Sequence, residues 1–131
     1  MKVMVVEDEQ ASRKLACVVL SAEGHIVFPV SNAEAALESI KANGPDVLLL
    51  DLALPGMNGL DLARLLKQDE ATQGLAIVAV SAFPEKYGRR EALKAGCDAY
   101  ISKPVNTRTL GKQLSGILAG HSSPDWSAEE D

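Results

Sequence analysis

Three short, uninterrupted apolar runs constrain the fold most: Val3-Met4-Val5-Val6, Val47-Leu48-Leu49-Leu50 and Leu75-Ala76-Ile77-Val78-Ala79-Val80. A strand with one face in water alternates apolar and polar residues, whereas a strand covered on both faces reads as a continuous apolar run. These three runs therefore predict central strands of a parallel sheet. His25-Ile26-Val27-Phe28 and Ala99-Tyr100-Ile101 are weaker strand candidates, each introduced by a glycine, Gly24 or Gly96.

Helical patterns fill the intervals. Ala11, Leu15, Val18, Val19 and Ala22 share one stripe and predict an amphipathic helix near residues 10–22. Ser31-Asn32-Ala33-Glu34 has the Ser-x-x-Glu form of a capping box and starts a second helix, which ends before Asn43-Gly44-Pro45. Leu60, Leu62, Ala63, Leu65 and Leu66 mark a third, Pro84 opens a fourth that runs to about Ala95, and Asn106 caps a fifth carrying Leu110, Leu114, Ile117 and Leu118. Gly111 and Gly116 weaken the fifth by about 1 kcal/mol each relative to alanine. Five β-α units in series require right-handed crossovers between parallel strands, and the expected fold is a doubly wound, five-stranded α/β sandwich. In such sheets ligands bind at the carboxyl ends of the strands, so the residues just after each strand carry the functional reading.

With 131 residues, 47% of them apolar and 24% charged, the composition is that of one globular domain. No stretch approaches the roughly 18 apolar residues of a membrane span. The first residues reach Glu7 without a secretory signal's long apolar region, so a cytoplasmic address is expected. Cys17 and Cys97 have no ligand-like spacing and read as buried free thiols. Net charge is −5, but Asp125, Glu129, Glu130 and Asp131 follow Gly120, leaving 14 acids against 13 bases over residues 1–120. A nearly neutral body argues against direct nucleic-acid binding. The breaker-rich, acidic segment 120–131 reads as a disordered tail with one sticky residue, Trp126.

The strand ends carry Glu7-Asp8-Glu9, Asp51, Ser81 and Lys103-Pro104. Each alone is an ordinary cap, turn residue or surface charge. Together they are not ordinary, because Asp8 and Asp51 leave two apolar strands at the same edge and their like charges need neutralising. Oxygen donors without histidine or cysteine favour Mg²⁺ over zinc.

Val5-Val6-Glu7-Asp8-Glu9, Leu50-Asp51-Leu52-Ala53-Leu54-Pro55-Gly56-Met57-Asn58-Gly59, Val80-Ser81-Ala82 and Tyr100-Ile101-Ser102-Lys103-Pro104 together resemble the receiver domain of two-component response regulators, over residues 1 to about 119. Ser81-Ala82-Phe83 with the stretch from Gly96 to Pro104 is similar to the single-domain regulators of bacterial cell-cycle and polarity pathways. The resemblance implies a flavodoxin-like three-layer sandwich with strand order 2-1-3-4-5. It also implies that Asp51 accepts a phosphoryl group from a histidine kinase or phosphotransfer protein. Mg²⁺ would be held by Asp8, Asp51 and the Ala53 carbonyl, and by Glu7 through water, while Lys103 would neutralise a phosphoryl oxygen. Ser81 and Tyr100 would form the switch, Tyr100 moving from an outward to an inward rotamer, and Lys103-Pro104 would be a cis peptide. Output would pass to a protein partner through the fourth helix, fifth strand and fifth helix, including Lys86, Arg89, Arg90, Lys94, Tyr100 and Arg108. The chain would be a monomer or a phosphorylation-dependent dimer.

Two departures stand out from the family pattern. Glu7 occupies a position more often filled by aspartate, and small Ala53 and Ala82 leave an acyl phosphate accessible, with Phe83 as a partial shield. A phosphatase using Asp51 as nucleophile would place a second aspartate two positions on, where this chain has Ala53. The remaining alternative is a phosphorylation-independent interaction module.

Overall fold

The computed structural model describes residues 1–82 and 85–118. Five strands alternate with five helices: β1 (Lys2–Val6), α1 (Gln10–Ala22), β2 (Ile26–Val30), α2 (Ala33–Asn43), β3 (Val47–Asp51), α3 (Gly59–Gln68), β4 (Ala76–Ser81), α4 (Arg89–Lys94), β5 (Ala99–Ser102) and α5 (Leu110–Leu118). The strands form one parallel sheet in the order β2-β1-β3-β4-β5.

The three continuous apolar runs are the three inner strands, and the two weaker candidates are the edges. Pro29, in register with Val5, shows why β2 reads weakly: a residue without an N–H is tolerated only where one side of the strand lacks a neighbour. Side chains alternate between faces with the two-residue period of a strand. Met4, Val6, Leu48, Leu50, Ile77 and Ala79 pack with Ile40, Leu62, Leu66 and Ala92 from α2, α3 and α4. Val3, Val5, Leu49, Val78 and Ile101 pack on the other face with Leu20 of α1 and Leu110, Leu114 and Ile117 of α5.

Several local expectations change. The buried residue of α1 is Leu20, whereas Leu15 and Val18 of the apolar stripe are 54% and 58% exposed. The stripe is periodic, but it points partly away from the sheet. α2 is capped by Asn32, whose side chain accepts from the Ala35 N–H at 2.7 Å, so the cap sits one residue later than the Ser31 box predicts. Asn32→Ala should remove about 1 kcal/mol of stability, read as a lower urea midpoint with an unchanged slope.

α4 begins at Arg89 and not at Pro84; Phe83 and Pro84 lie outside the described residues. Tyr87 packs on the core and its carbonyl accepts from the Tyr100 hydroxyl at 3.0 Å, which holds the segment before Gly88 outside the helix. Asn106 caps a turn leading into α5, its side chain accepting from the Arg108 N–H at 3.0 Å. Cys97 is buried, and burial pushes its thiol up to about 12, while Cys17 is only half-buried. The acidic segment with Trp126 lies outside the described residues.

Candidate functional site

Because the strands are parallel, their carboxyl ends share one edge, and there the structure gathers the charged residues that follow them. Asp51 ends β3 and is 6% exposed. Glu7 follows β1, is equally buried, and donates its backbone N–H to the Val30 carbonyl of the neighbouring strand at 3.1 Å. Lys103 follows β5, with its backbone N–H donating to the Ser81 carbonyl at 2.8 Å, and the Lys103-Pro104 peptide is cis. The Lys103 ammonium donates to Glu7 Oε1 at 2.6 Å and to Asp51 Oδ2 at 3.3 Å, joining the ends of β1, β3 and β5.

Asp8 is exposed beside them, and one carboxylate oxygen each from Glu7, Asp8 and Asp51 lies within 4.8 Å of the others. The other Asp51 oxygen accepts from the Ala53 N–H at 3.0 Å, which fixes the carboxylate against the start of the β3–α3 loop. Ala53 is half-buried and lines a shallow pocket with Asp8, so its position faces the acidic cluster. Ala82 is exposed.

Three carboxylates face a single ammonium, and the imbalance shows in the protonation of Glu7. Burial raises its carboxyl to about 7, the neighbouring Asp51 carboxylate pushes the same way, and Lys103 only partly opposes them. Burial would lower Lys103, but the Glu7 hydrogen bond and the charges of Asp51 and Glu7 outweigh it and raise its pKa. A further cation would relieve the repulsion. Oxygen donors converging from two buried carboxylates and one exposed one fit a hard divalent ion that keeps several waters.

Ser81 ends β4 one residue beyond Val80, the register partner of Asp51, and is 1% exposed. Tyr100 is buried at 5%, its hydroxyl donating to the Tyr87 carbonyl, so in this structure the ring already points inward. It therefore does not add to an outer face. Lys86, Arg90, Lys94 and Arg108 are exposed, Arg89 is half-buried, and the Lys86 ammonium sits 5.3 Å from the Tyr87 ring centre.

Two supporting residues were not singled out by sequence. Arg13 Nη1 donates to the Glu7 carbonyl at 2.9 Å and to the Asp8 carbonyl at 3.3 Å, bracing the β1–α1 turn from inside α1. Gly59 lies so close to the end of β3 that a Cβ there would stand 2.6 Å from the Asp51 carbonyl oxygen and 2.7 Å from Leu52 Cα. Asn58-Gly59 closes the stretch from Leu50 that carries the family resemblance, but that motif does not say what the glycine is for. In the structure Asn58 caps α3 by accepting from the Asp61 N–H, and Gly59 lets the helix press against the backbone of Asp51. Gly59→Ala should shift that backbone and lower stability by about 1–3 kcal/mol, measurable by urea unfolding.

The comparisons agree with this geometry. The family model described as "Response regulator receiver domain" matches residues 3–115. The chain is 35% identical over 116 residues to the polar-differentiation response regulator DivK of Brucella anthropi, covering 88% of this chain and 94% of that protein. It is also 35% identical to the phosphate regulon transcriptional regulatory protein PhoB of Pseudomonas aeruginosa, again over 88% of this chain, but it spans only about half (51%) of that longer relative. Among solved structures it resembles a CheY-like response regulator receiver domain protein from Methanospirillum hungatei JF-1, with a TM-score of 0.84, 28% identity, and 92% and 94% of the two chains covered.

A parallel five-stranded sheet with an acidic cluster and a lysine at its carboxyl edge defines a doubly wound α/β protein with a charged site at its strand ends, and the matches make the class specific. The chain belongs to the response regulator receiver domain family of two-component systems, whose general function is that of a phosphorylation switch rather than a classical enzyme. Such domains interact with histidine kinases or phosphotransfer proteins and in general bind Mg²⁺. Among the described residues no helix is long and apolar enough to cross a membrane.

Proposed function

We propose that Asp51 is the phosphoacceptor of a signalling switch spanning residues 1–119, with the acidic segment 120–131 outside the domain. The observation that carries this reading is the Lys103 ammonium held between the buried Glu7 and Asp51 carboxylates with Asp8 alongside. Asp8, Asp51 and the Ala53 carbonyl would hold Mg²⁺, and Glu7 would act on it through water. When bound, the ion neutralises charge on phosphoryl oxygens.

The chain's own residues supply the rest. Asp51, oriented by the Ala53 N–H, forms the new O–P bond while the bond from phosphorus to the donor's leaving group breaks, in line. Lys103 offers a compact positive charge to the transferred group once its contact with Asp51 is released. Ser81, on the adjacent strand end, donates to a phosphoryl oxygen and draws the following loop inward. Tyr100, tied to Tyr87, is stabilised in its inward rotamer by the same movement. The donor is a phosphohistidine on a kinase or phosphotransfer protein of the cytoplasm. Output passes to a protein partner through α4, β5 and α5, where Arg90, Lys94 and Arg108 are exposed.

Incubation with Mg²⁺ and acetyl phosphate, followed by intact mass, tests the reading. One phosphoryl group should be gained and then lost to hydroxylamine, and EDTA should prevent it. No gain with a panel of phosphodonors, with Mg²⁺ binding verified, would instead mark a phosphorylation-independent interaction module.

Glu7 gives a pH prediction. In the metal-free fold its carboxyl titrates near 7, above its ordinary 4.5, so bound protons compete with the cation below neutrality. Mg²⁺ affinity should therefore rise about tenfold from pH about 6 to pH about 8, measured by calorimetric titration. The folded metal-free chain holds a proton that the unfolded chain releases between those two pKa values. This group's contribution to stability is thus present below about 4.5 and lost as pH rises through about 7.

A further inference from the structure

A cleft of about 390 Å³ opens at the carboxyl edge of the sheet. Its lining comes from Asp8, from Ala53, Leu54 and Pro55 after β3, and from Lys86 and Tyr87 before α4. Asp8 and Ala53 are two of the residues assigned above to Mg²⁺, so the cleft adjoins the place where a phosphoryl group would be received. Lys86 is the one cation of this lining. Its ammonium lies 5.3 Å from the centre of the Tyr87 ring, and Tyr87 in turn packs on the core. The negative face of an aromatic ring attracts an ammonium, which favours this placement over a side chain loose in water. Among the described residues no carboxylate pairs with Lys86, whereas Lys103 is committed to Glu7 and Asp51.

We propose that Lys86 is a specificity-determining residue for the phosphodonor: from the wall of the cleft its ammonium draws in doubly charged acyl phosphates in preference to donors of lower charge. The inference rests on Asp51 as the phosphoacceptor. Glu7, Asp8 and Asp51 outnumber Lys103 at this edge, so an anionic donor is opposed on approach unless it meets positive charge first. An exposed ammonium with no carboxylate to satisfy supplies that charge, and the small Ala53 side chain leaves the cleft open to a donor. In the transfer itself the bond from Asp51 to phosphorus forms, the bond from phosphorus to the acyl oxygen breaks, and the carboxylate leaves with the bonding pair. Lys86 forms no bond and moves no proton in that step; it raises the local concentration of the anion and helps to hold it. This sets Lys86 apart from the exposed Arg90 and Lys94, which are not in the lining.

Initial rates of phosphoryl gain, read by intact mass, test the proposal with two probes: acetyl phosphate, and phosphoramidate, which carries one negative charge less. Mg²⁺ is kept saturating, as checked by calorimetric titration of each variant. Lys86→Gln should lower the second-order rate constant for acetyl phosphate by about three- to tenfold, the scale of one ion contact at a protein surface, and that for phosphoramidate by less than about twofold. Lys86→Arg should keep the preference, and the loss in Lys86→Gln should fade at about 0.5 M KCl, where screening shortens the reach of the charge. Lys41→Gln removes the same charge from the end of α2 and should change neither rate. Equal rates for Lys86→Gln and the unaltered chain, or an equal fall with both donors, would overturn the proposal while leaving Asp51 as phosphoacceptor. An unaltered chain that takes no label from either donor would overturn that reading and this inference with it.

Discussion

Asp51→Asn should abolish the phosphoryl adduct, with labelling by acetyl phosphate falling at least about a hundredfold, to the level of non-specific modification. The substitution keeps the size of the side chain and an oxygen able to accept from the Ala53 N–H at the position of Asp51 Oδ1. What it removes is the negative charge and the nucleophilic oxygen. Because that charge is one of the causes that raise Glu7, the variant should also bring Glu7 down toward the ordinary carboxylate range. The metal-free variant should then be at least as stable as the unaltered chain above neutral pH. Loss of labelling together with retained or raised stability separates a chemical role for Asp51 from a structural one. A folded Asp51→Asn chain that labels normally would show that phosphorus is received elsewhere.

Lys103→Ala should have the second largest effect, in opposite directions on two observables. Its ammonium is the partner that Glu7 and Asp51 share, and both carboxylates are buried. Removing it leaves two like charges facing each other without a cation, which should lower the stability of the metal-free fold by about 1–3 kcal/mol above neutral pH. The penalty is bounded because Glu7 can take up a proton, so it should shrink as the pH falls and also when Mg²⁺ is added. Mg²⁺ itself should bind more tightly to the variant, since a positive charge has left the site. Labelling should nevertheless slow by about a hundredfold or more, because charge on the transferred group loses its protein-borne counterpart. Tighter metal binding with slower labelling is a pattern that mere unfolding does not produce. Chemical denaturation, calorimetric titration and time-resolved mass measurement read the three quantities.

The parts of this molecule that could be read from sequence are those fixed by burial on both sides. Val3 to Val6, Val47 to Leu50 and Leu75 to Val80 are continuous because inner strands of a parallel sheet have no wet face, and all three are inner strands. The edges β2 and β5 are fainter because one side of each lacks a neighbour, and Pro29 is admissible only there. The α1 stripe had the right period, yet Leu15 and Val18 are largely exposed. Periodicity reports which residues share a face; it does not report how much of that face a neighbour covers. The start of α4 was misplaced for a related reason. The segment before Gly88 is set by Tyr87 packing on the core and by its bond with Tyr100, contacts that no local pattern carries.

The same division holds in the site. Glu7, Asp8, Asp51, Ser81 and Lys103 were legible because each follows a strand, and parallel strands deliver their ends to one edge. Which of them would touch was not legible. That the Lys103 ammonium bridges Glu7 and Asp51 depends on the path of the chain after β5, and that Gly59 must lack a side chain depends on α3 lying against Asp51. Arg13 was missed because an arginine on a helix beside an acidic turn looks like a surface ion pair, whereas it donates to the carbonyls of Glu7 and Asp8.

The most direct test of Asp51 as phosphoacceptor is to map the modified residue. The chain is labelled with acetyl phosphate and Mg²⁺, reduced with borohydride so that an acyl phosphate becomes the corresponding alcohol, and sequenced by tandem mass spectrometry. Homoserine at position 51, formed only when Mg²⁺ and phosphodonor are both present, is the predicted result. A reduced residue at Asp8, Glu7 or any other carboxylate, with Asp51 intact in a folded and labelled chain, would contradict it.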